Sequence, residues 1–210
     1  MARITALRVQ SSNPNRVSVF VDDEYAFGLH IDLAMGLHLG QELSPEEAAA
    51  LQKQDVRAMG YERALHYLSF RPRSAQEVAQ YLKGKGLDEE DAAAVLERLQ
   101  QAGLVDDAAF AQFWVNSREN ARPKGAWALR AELRQKGIAD KHIAEAVADI
   151  DEQASALRAA ERKAQQLAGL DEGTYRRRLT AFLMRRGFGY AVARETVDRL
   201  WDEQRARPLA

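Results

Sequence analysis

Along most of this chain apolar residues return every three or four positions, the spacing of an amphipathic helix, while residues 1–43 alternate in the manner of strands. Three stretches of the helical part, 78–99, 129–150 and 179–200, align with one another without a gap. Each opens on an apolar residue and places a leucine four positions later, at Leu82, Leu133 or Leu183. Each then runs through a basic residue, a glycine and an apolar residue: Lys85-Gly86-Leu87, Lys136-Gly137-Ile138 and Arg186-Gly187-Phe188. The glycines stand 51 and 50 residues apart.

The shared pattern predicts a helix that stops at a glycine able to adopt positive φ, with basic residues at the negative end of its dipole. The apolar residue after the glycine packs back on the last turn. A second helix begins almost at once, with Val95, Leu96 and Leu99, or Val147 and Ile150, or Val197 and Leu200, on one buried stripe. The sequence between these hairpins supplies a third helix per unit, over 61–70, 108–120 and 153–168. Ser44-Pro45-Glu46-Glu47 and Ser74-Ala75-Gln76-Glu77 read as capping boxes. Pro72, Pro123 and Gly103 fall between helices.

Residues 4–9, 16–21 and 25–31 are rich in β-branched and aromatic residues and are separated by Ser11-Ser12-Asn13-Pro14-Asn15 and Asp22-Asp23-Glu24. They predict a three-stranded meander. So few short strands are marginal alone, so the meander is expected to pack on the helix that starts after Ser44. The fold class is therefore mainly α, a tandem array of three three-helix repeats behind a small β-meander. The divisions fall at 1–43, 44–104, 105–151 and 152–210.

Composition narrows the chemistry. The 210 residues contain no cysteine, which removes disulfides, cysteine-ligated metals and thiol nucleophiles. MARITALRVQ has no apolar core of a signal peptide and no long apolar run follows, so a cytoplasmic protein without membrane spans is expected. His30, His38, His66 and His142 lie far apart, outside any HExxH pattern, and GxSxG, P-loop and GxGxxG motifs are absent. Lys83-Gly84-Lys85-Gly86 mimics a phosphate loop but sits where the repeat ends a helix. Asp88-Glu89-Glu90-Asp91 and Asp106-Asp107 stand at predicted helix starts, where carboxylates complement the dipole. No catalytic, cofactor-binding or metal-binding residue is identified, and an enzyme on a helical scaffold is the weakest of the readings.

The net charge of −1 hides an asymmetry: residues 1–117 carry 11 Lys and Arg against 17 Asp and Glu, whereas 118–210 carry 19 against 14. Basic positions are accordingly the informative polar ones. Arg71 and Arg73 flank Pro72, and Arg118, Arg122 and Lys124 end one helix and enter the next turn. Arg130 and Arg134 share a helical face, as do Arg178 and Arg185, and Arg186 follows directly. Such arginines can grip carboxylates or phosphates bidentately. The plain alternative is a set of solvated helix faces. A helix-turn-helix reading fails in the first repeat, where Asp88 to Asp91 would face DNA phosphates. Weak non-specific DNA contact through the arginines stays open.

The run Ala64-Leu65-His66-Tyr67-Leu68-Ser69-Phe70-Arg71-Pro72-Arg73-Ser74, with Glu77 and Leu82, resembles the opening signature of the RecX family. Gly103-Leu104-Val105-Asp106-Asp107 with Phe110, Pro123-Lys124-Gly125 leading to Glu132-Leu133-Arg134-Gln135-Lys136-Gly137-Ile138, and Arg185-Arg186-Gly187-Phe188 resemble it in the same order. The resemblance covers roughly residues 61–201 and leaves the N-terminal strands outside. It implies an elongated, curved array that binds RecA recombinase, free or as the filament on single-stranded DNA. It also implies that the array lies in the filament groove and lowers ATPase, strand-exchange and coprotease activities in DNA repair and the SOS response; a monomer is expected. The partner-binding candidates are then Arg71, Arg73, Arg118, Arg122, Lys124, Arg130, Arg134, Arg178, Arg185 and Arg186. The alternative is a non-specific nucleic-acid-binding helical repeat protein without a dedicated protein partner.

RRGFGY at 185–190 nearly spells an RNA-binding strand motif. The helical spacing of Leu179 and Leu183 before it and of Val197 and Leu200 after it assigns it to the third repeat.

Overall fold

The computed structural model describes residues 2–206. They fall into two compact units, divided between Val105 and Asp106. Among the described residues, no helix is long and apolar enough to cross a membrane.

The first unit opens with the antiparallel strands β1 (Ala2–Gln10), β2 (Asn13–Val21) and β3 (Glu24–His30). Asp22 and Asp23 both take positive φ in the two-residue turn between β2 and β3, the backbone a tight hairpin demands. A short helix α1 (Ile31–Ala34) leads to a strand the sequence did not announce, β4 (Glu42–Leu43). It pairs with Ala2 and Arg3, giving the order β3-β2-β1-β4. Two residues are too few to leave a periodic signal.

One face of the sheet buries Ile4, Val17, Val19, Phe27 and Leu29 against Ala48 and Leu51 of α2 (Pro45–Leu68). The expected packing on the helix after Ser44 is thus present. Asp55 of α2 is buried but satisfied: it pairs with Arg16 at 2.9 Å and accepts from the His30 N–H at 2.5 Å. A separate helix over 61–70 was expected, yet α2 runs unbroken from the Ser44 capping box to Leu68. No cap or proline interrupts 46–68, and Gly60 inside the helix is retained for contact. A Cβ there would lie 2.6 Å from Leu87 Cδ2, so the glycine admits the apolar residue after the next turn.

Helices α3 (Ala75–Gly84) and α4 (Glu89–Gln101) complete the first repeat. The Ser74–Glu77 capping box starts α3, and the Asp88 carboxylate caps α4 by accepting from the Asp91 N–H at 2.8 Å. Val78, Leu82, Leu87, Val95 and Leu99 meet Ala64 of α2 in one core.

The second unit holds two repeats. Helices α5 (Asp107–Ala121), α6 (Ala126–Gln135) and α7 (Asp140–Val147) enclose Phe110, Val115, Leu129, Leu133, Ile138 and Ile143. Helices α8 (Glu152–Leu167), α9 (Glu172–Arg185) and α10 (Tyr190–Ala206) enclose Ala156, Ala160, Tyr175, Leu179, Leu183, Phe188 and Val197. Each fully buried leucine contributes about 1.5–3 kcal/mol of transfer free energy.

The repeat turn is the same in all three units. Gly86, Gly137 and Gly187 have φ of 92°, 77° and 86°. In each, the residue after the glycine donates back five positions, Leu87 to Leu82, Ile138 to Leu133 and Phe188 to Leu183. This is the Schellman closure. Leu87, Ile138 and Phe188 are all buried.

The two repeats of the second unit also meet through bare backbone. The Gly125 N–H donates to the Arg186 carbonyl at 3.0 Å, and a Cβ on Gly125 would overlap the Gly187 carbonyl. Glycine on both sides permits this approach. Glu152 of α8 accepts from the Ala126 N–H at 2.7 Å, capping α6 where its own Gly125 has no side chain to do so.

Candidate partner-binding surface

In the second repeat, Glu132 on α6 gathers three donors. Trp114 Nε1 and Arg118 Nε both reach its Oε2 at 2.8 Å, and Lys124 Nζ binds Oε1. Burial alone would raise the Glu132 carboxyl, but the hydrogen bonds from Lys124, Arg118 and Trp114 outweigh it and hold it below the ordinary carboxylate value. The Arg118 guanidinium also lies 4.5 Å over the Trp114 ring. Arg118 and Lys124 are therefore compensated cations.

Arg186, at the end of α9, is different. One N–H donates to the Pro123 carbonyl at 3.2 Å, and its guanidinium stacks 4.8 Å from the Phe182 ring. Neither group is negative. Burial, and then the like charge of Arg122, lower its pKa from an arginine's ordinary value. The Arg122 backbone N–H donates to the Arg118 carbonyl at 2.9 Å, while its guanidinium has no hydrogen-bond or ion-pair partner among the described residues. Its side chain is exposed.

Arg130 and Arg134 are exposed on α6; Arg134 meets Asp140 at 2.9 Å across open solvent, and the Arg130 side chain has no partner among the described residues. Arg178 and Arg185 project from α9, exposed, with side chains unpaired among the described residues. In the first unit, Arg71 is held bidentately by Glu77, at 2.9 and 3.2 Å. Arg73 lies 3.9 Å over Tyr67, which stacks on Tyr81 at 4.1 Å. Of the ten basic candidates, Arg118, Arg122, Lys124 and Arg186 are thus brought together around the turn at Pro123.

Two residues with a part in this surface were not singled out in the sequence. Glu132 carried a signal only in its i+8 and i+14 spacing from Lys124 and Arg118, which a helix break obscures. Trp127 is 73% exposed. Its signal was available, because a tryptophan off the Ala126, Leu129 and Leu133 stripe has no core to enter. Among the described residues, no cluster of three or more histidine, aspartate or glutamate side chains could hold a metal ion.

Four family descriptions match in order along the chain. The "Regulatory protein RecX N-terminal domain" matches residues 2–44, and the first, second and third three-helix domains of RecX match 61–99, 106–147 and 150–197. The strands set outside the resemblance thus fall within the family. "Regulatory protein RecX" of Bacillus subtilis is 32% identical over 205 residues, covering 95% of this chain and 78% of the relative. That of Prosthecochloris aestuarii is 41% identical over 138 residues, 66% of this chain and 91% of the relative. A crystal structure of regulatory protein RecX shares 27% identity at a TM-score of 0.78, covering 94% of this chain and all of that one. RecX from Lactobacillus salivarius, 23% identical with a TM-score of 0.62 over 73% of this chain and 99% of that one, shares the fold.

Proposed function

This chain belongs to the RecX family of regulatory proteins, and on that premise we propose that it inhibits the RecA recombinase. In this reading it binds RecA, and the RecA filament on single-stranded DNA, within the filament's helical groove. It lowers ATPase, strand-exchange and coprotease activity in DNA repair and the SOS response. It acts as a cytoplasmic monomer, with no catalytic residue, cofactor or metal of its own. A β-rich segment over 1–43 and helical repeats over 44–104, 105–151 and 152–210 are its working parts. The observation that carries the reading is the ordered match of all four family descriptions between residues 2 and 197.

The contact surface in this reading is basic: Arg71 and Arg73 from the first repeat, Arg118, Arg122, Lys124, Arg130 and Arg134 from the second, and Arg178, Arg185 and Arg186 from the third. Exposed, uncompensated guanidinium groups at Arg122, Arg130, Arg178 and Arg185 support it, because binding a carboxylate there breaks no internal ion pair. Co-sedimentation with RecA filaments on single-stranded DNA tests it. The protein should pellet with RecA and not with an unrelated filament protein. Replacing Arg130 and Arg134 together by Glu should weaken pelleting while the far-ultraviolet helical signal stays unchanged. Undiminished pelleting would remove the outer face of α6 from the contact surface.

A further inference from the structure

The third repeat holds an open cavity of about 300 Å³ walled by α8, α9 and α10. The apolar part of its lining is Leu157 and Ala164 from α8 and Leu200 from α10, and two carboxylates, Glu161 and Glu203, line it as well. Glu203 pairs with Arg199 at 2.9 Å, whereas Glu161 has no hydrogen-bond or ion-pair partner among the described residues. Tyr175 of α9 lines the same cavity. The residue is fully buried, yet its hydroxyl has no hydrogen-bond partner among the described residues. Its ring lies 4.9 Å from that of Trp201, whose Nε1–H is also buried and without an acceptor. Buried hydroxyls are normally paired, because leaving one unpaired costs stability. Burial raises the Tyr175 phenol above its ordinary value, against the pull of Arg176 and with the help of Glu203. The group therefore stays protonated and presents a donor.

We propose that this cavity binds a small organic amine: its apolar body packs on Leu157, Ala164 and Leu200, its oxygen accepts from Tyr175, and its ammonium group pairs with Glu161. The Tyr175 hydroxyl is already out of water, so a ligand oxygen that accepts from it gains a hydrogen bond without a new desolvation cost. The volume stands at the lower end of small-molecule pockets, about 300 Å³, which suits a compact ligand. Charge selects the amine. Glu161 is uncompensated and Glu203 shares its charge with Arg199 alone, so the lining is net negative and a carboxylate or phosphate is repelled. The site needs neither RecA nor nucleic acid, so it stands apart from the reading above.

The test is isothermal titration calorimetry of the full chain with p-methoxyphenethylamine, which joins an ammonium group to an aromatic body and an ether oxygen that can only accept. The amine should bind, and p-methoxyphenylacetate, with a carboxylate in place of the ammonium, should not. Tyr175→Phe should weaken binding of the amine roughly fivefold. In the ligand-free protein the same variant should unfold at an equal or higher temperature, because it removes a buried unpaired hydroxyl; a hydroxyl that serves only the fold would lower that temperature when removed. Glu161→Gln changes an exposed side chain, so it does not act through folding. It should weaken the amine roughly threefold, with the difference shrinking at high salt. The proposal is overturned if the amine does not bind, if the acid binds as well as the amine, if Tyr175→Phe binds the amine like the parent, or if Tyr175→Phe lowers the unfolding temperature of the free protein. Co-sedimentation of the same variants with RecA reads the other function separately, so loss of one result does not imply loss of the other.

Discussion

Arg118 and Lys124 leave the end of α5 and the following turn and finish on Glu132; Arg122 and Arg186, from the same neighbourhood, finish on a carbonyl, an aromatic ring and solvent. All four count equally in a tally of charge. Only the second pair has charge to offer without first breaking an internal ion pair. Binding a partner through Arg118 or Lys124 means taking it from a half-buried carboxylate, while Arg122 waits exposed. The contrast separates cations that build the repeat from cations that can serve an interface.

The change that breaks both sides of this contrast at once is Leu133→Ala. Leu133 is fully buried beside Glu132 on α6, and its truncation should cost about 2–5 kcal/mol in urea unfolding. A loss below about 1 kcal/mol would show that the core of the second repeat can collapse around the gap.

Glu132→Gln sharpens the contrast by removing the charge that Arg118 and Lys124 share. It should cost about 1–3 kcal/mol, since two cations are left half-buried with a weaker acceptor. It should also strengthen binding to anionic ligands, because four uncompensated cations then surround Pro123. The pH dependence has a definite sign. The folded protein holds the Glu132 carboxyl below its ordinary value of 4.5. Its stabilisation is therefore complete above that value and lost as pH falls through the lowered one. The unfolding midpoint of the Gln variant should accordingly fall less between neutral pH and the acid range than that of the parent. Parallel curves would mean that Glu132 contributes nothing by its charge.

The smallest effect belongs to Arg134→Ala. Its pair with Asp140 lies in open solvent, with side chains 60% and 77% exposed, so the loss of stability should stay under about 0.5 kcal/mol. A larger loss would place Arg134 with the building cations.

The repeats were legible because their signals are local. Gly86, Gly137 and Gly187 each end a helix within a few residues of the leucine they close upon, and the capping boxes at Ser44 and Ser74 lie wholly within four residues. A separate helix over 61–70 was read where α2 runs on unbroken, and the contact that explains the glycine inside it, Gly60 against Leu87, spans 27 positions. The state of each cation was hidden for the same cause. Trp114 reaches Glu132 across 18 positions, and Arg186 reaches Pro123 across 63. Spacing along a chain that turns several times does not encode such distances. The basic positions were visible, but the division between compensated and open charge was not.

The central claim, regulation of RecA, is tested most directly by RecA-dependent ATP hydrolysis on single-stranded DNA with this protein present at a small fraction of the RecA concentration. A protein that blocks growing filaments should depress hydrolysis far more than its mole fraction. Hydrolysis that stays unchanged up to equimolar protein would contradict the account.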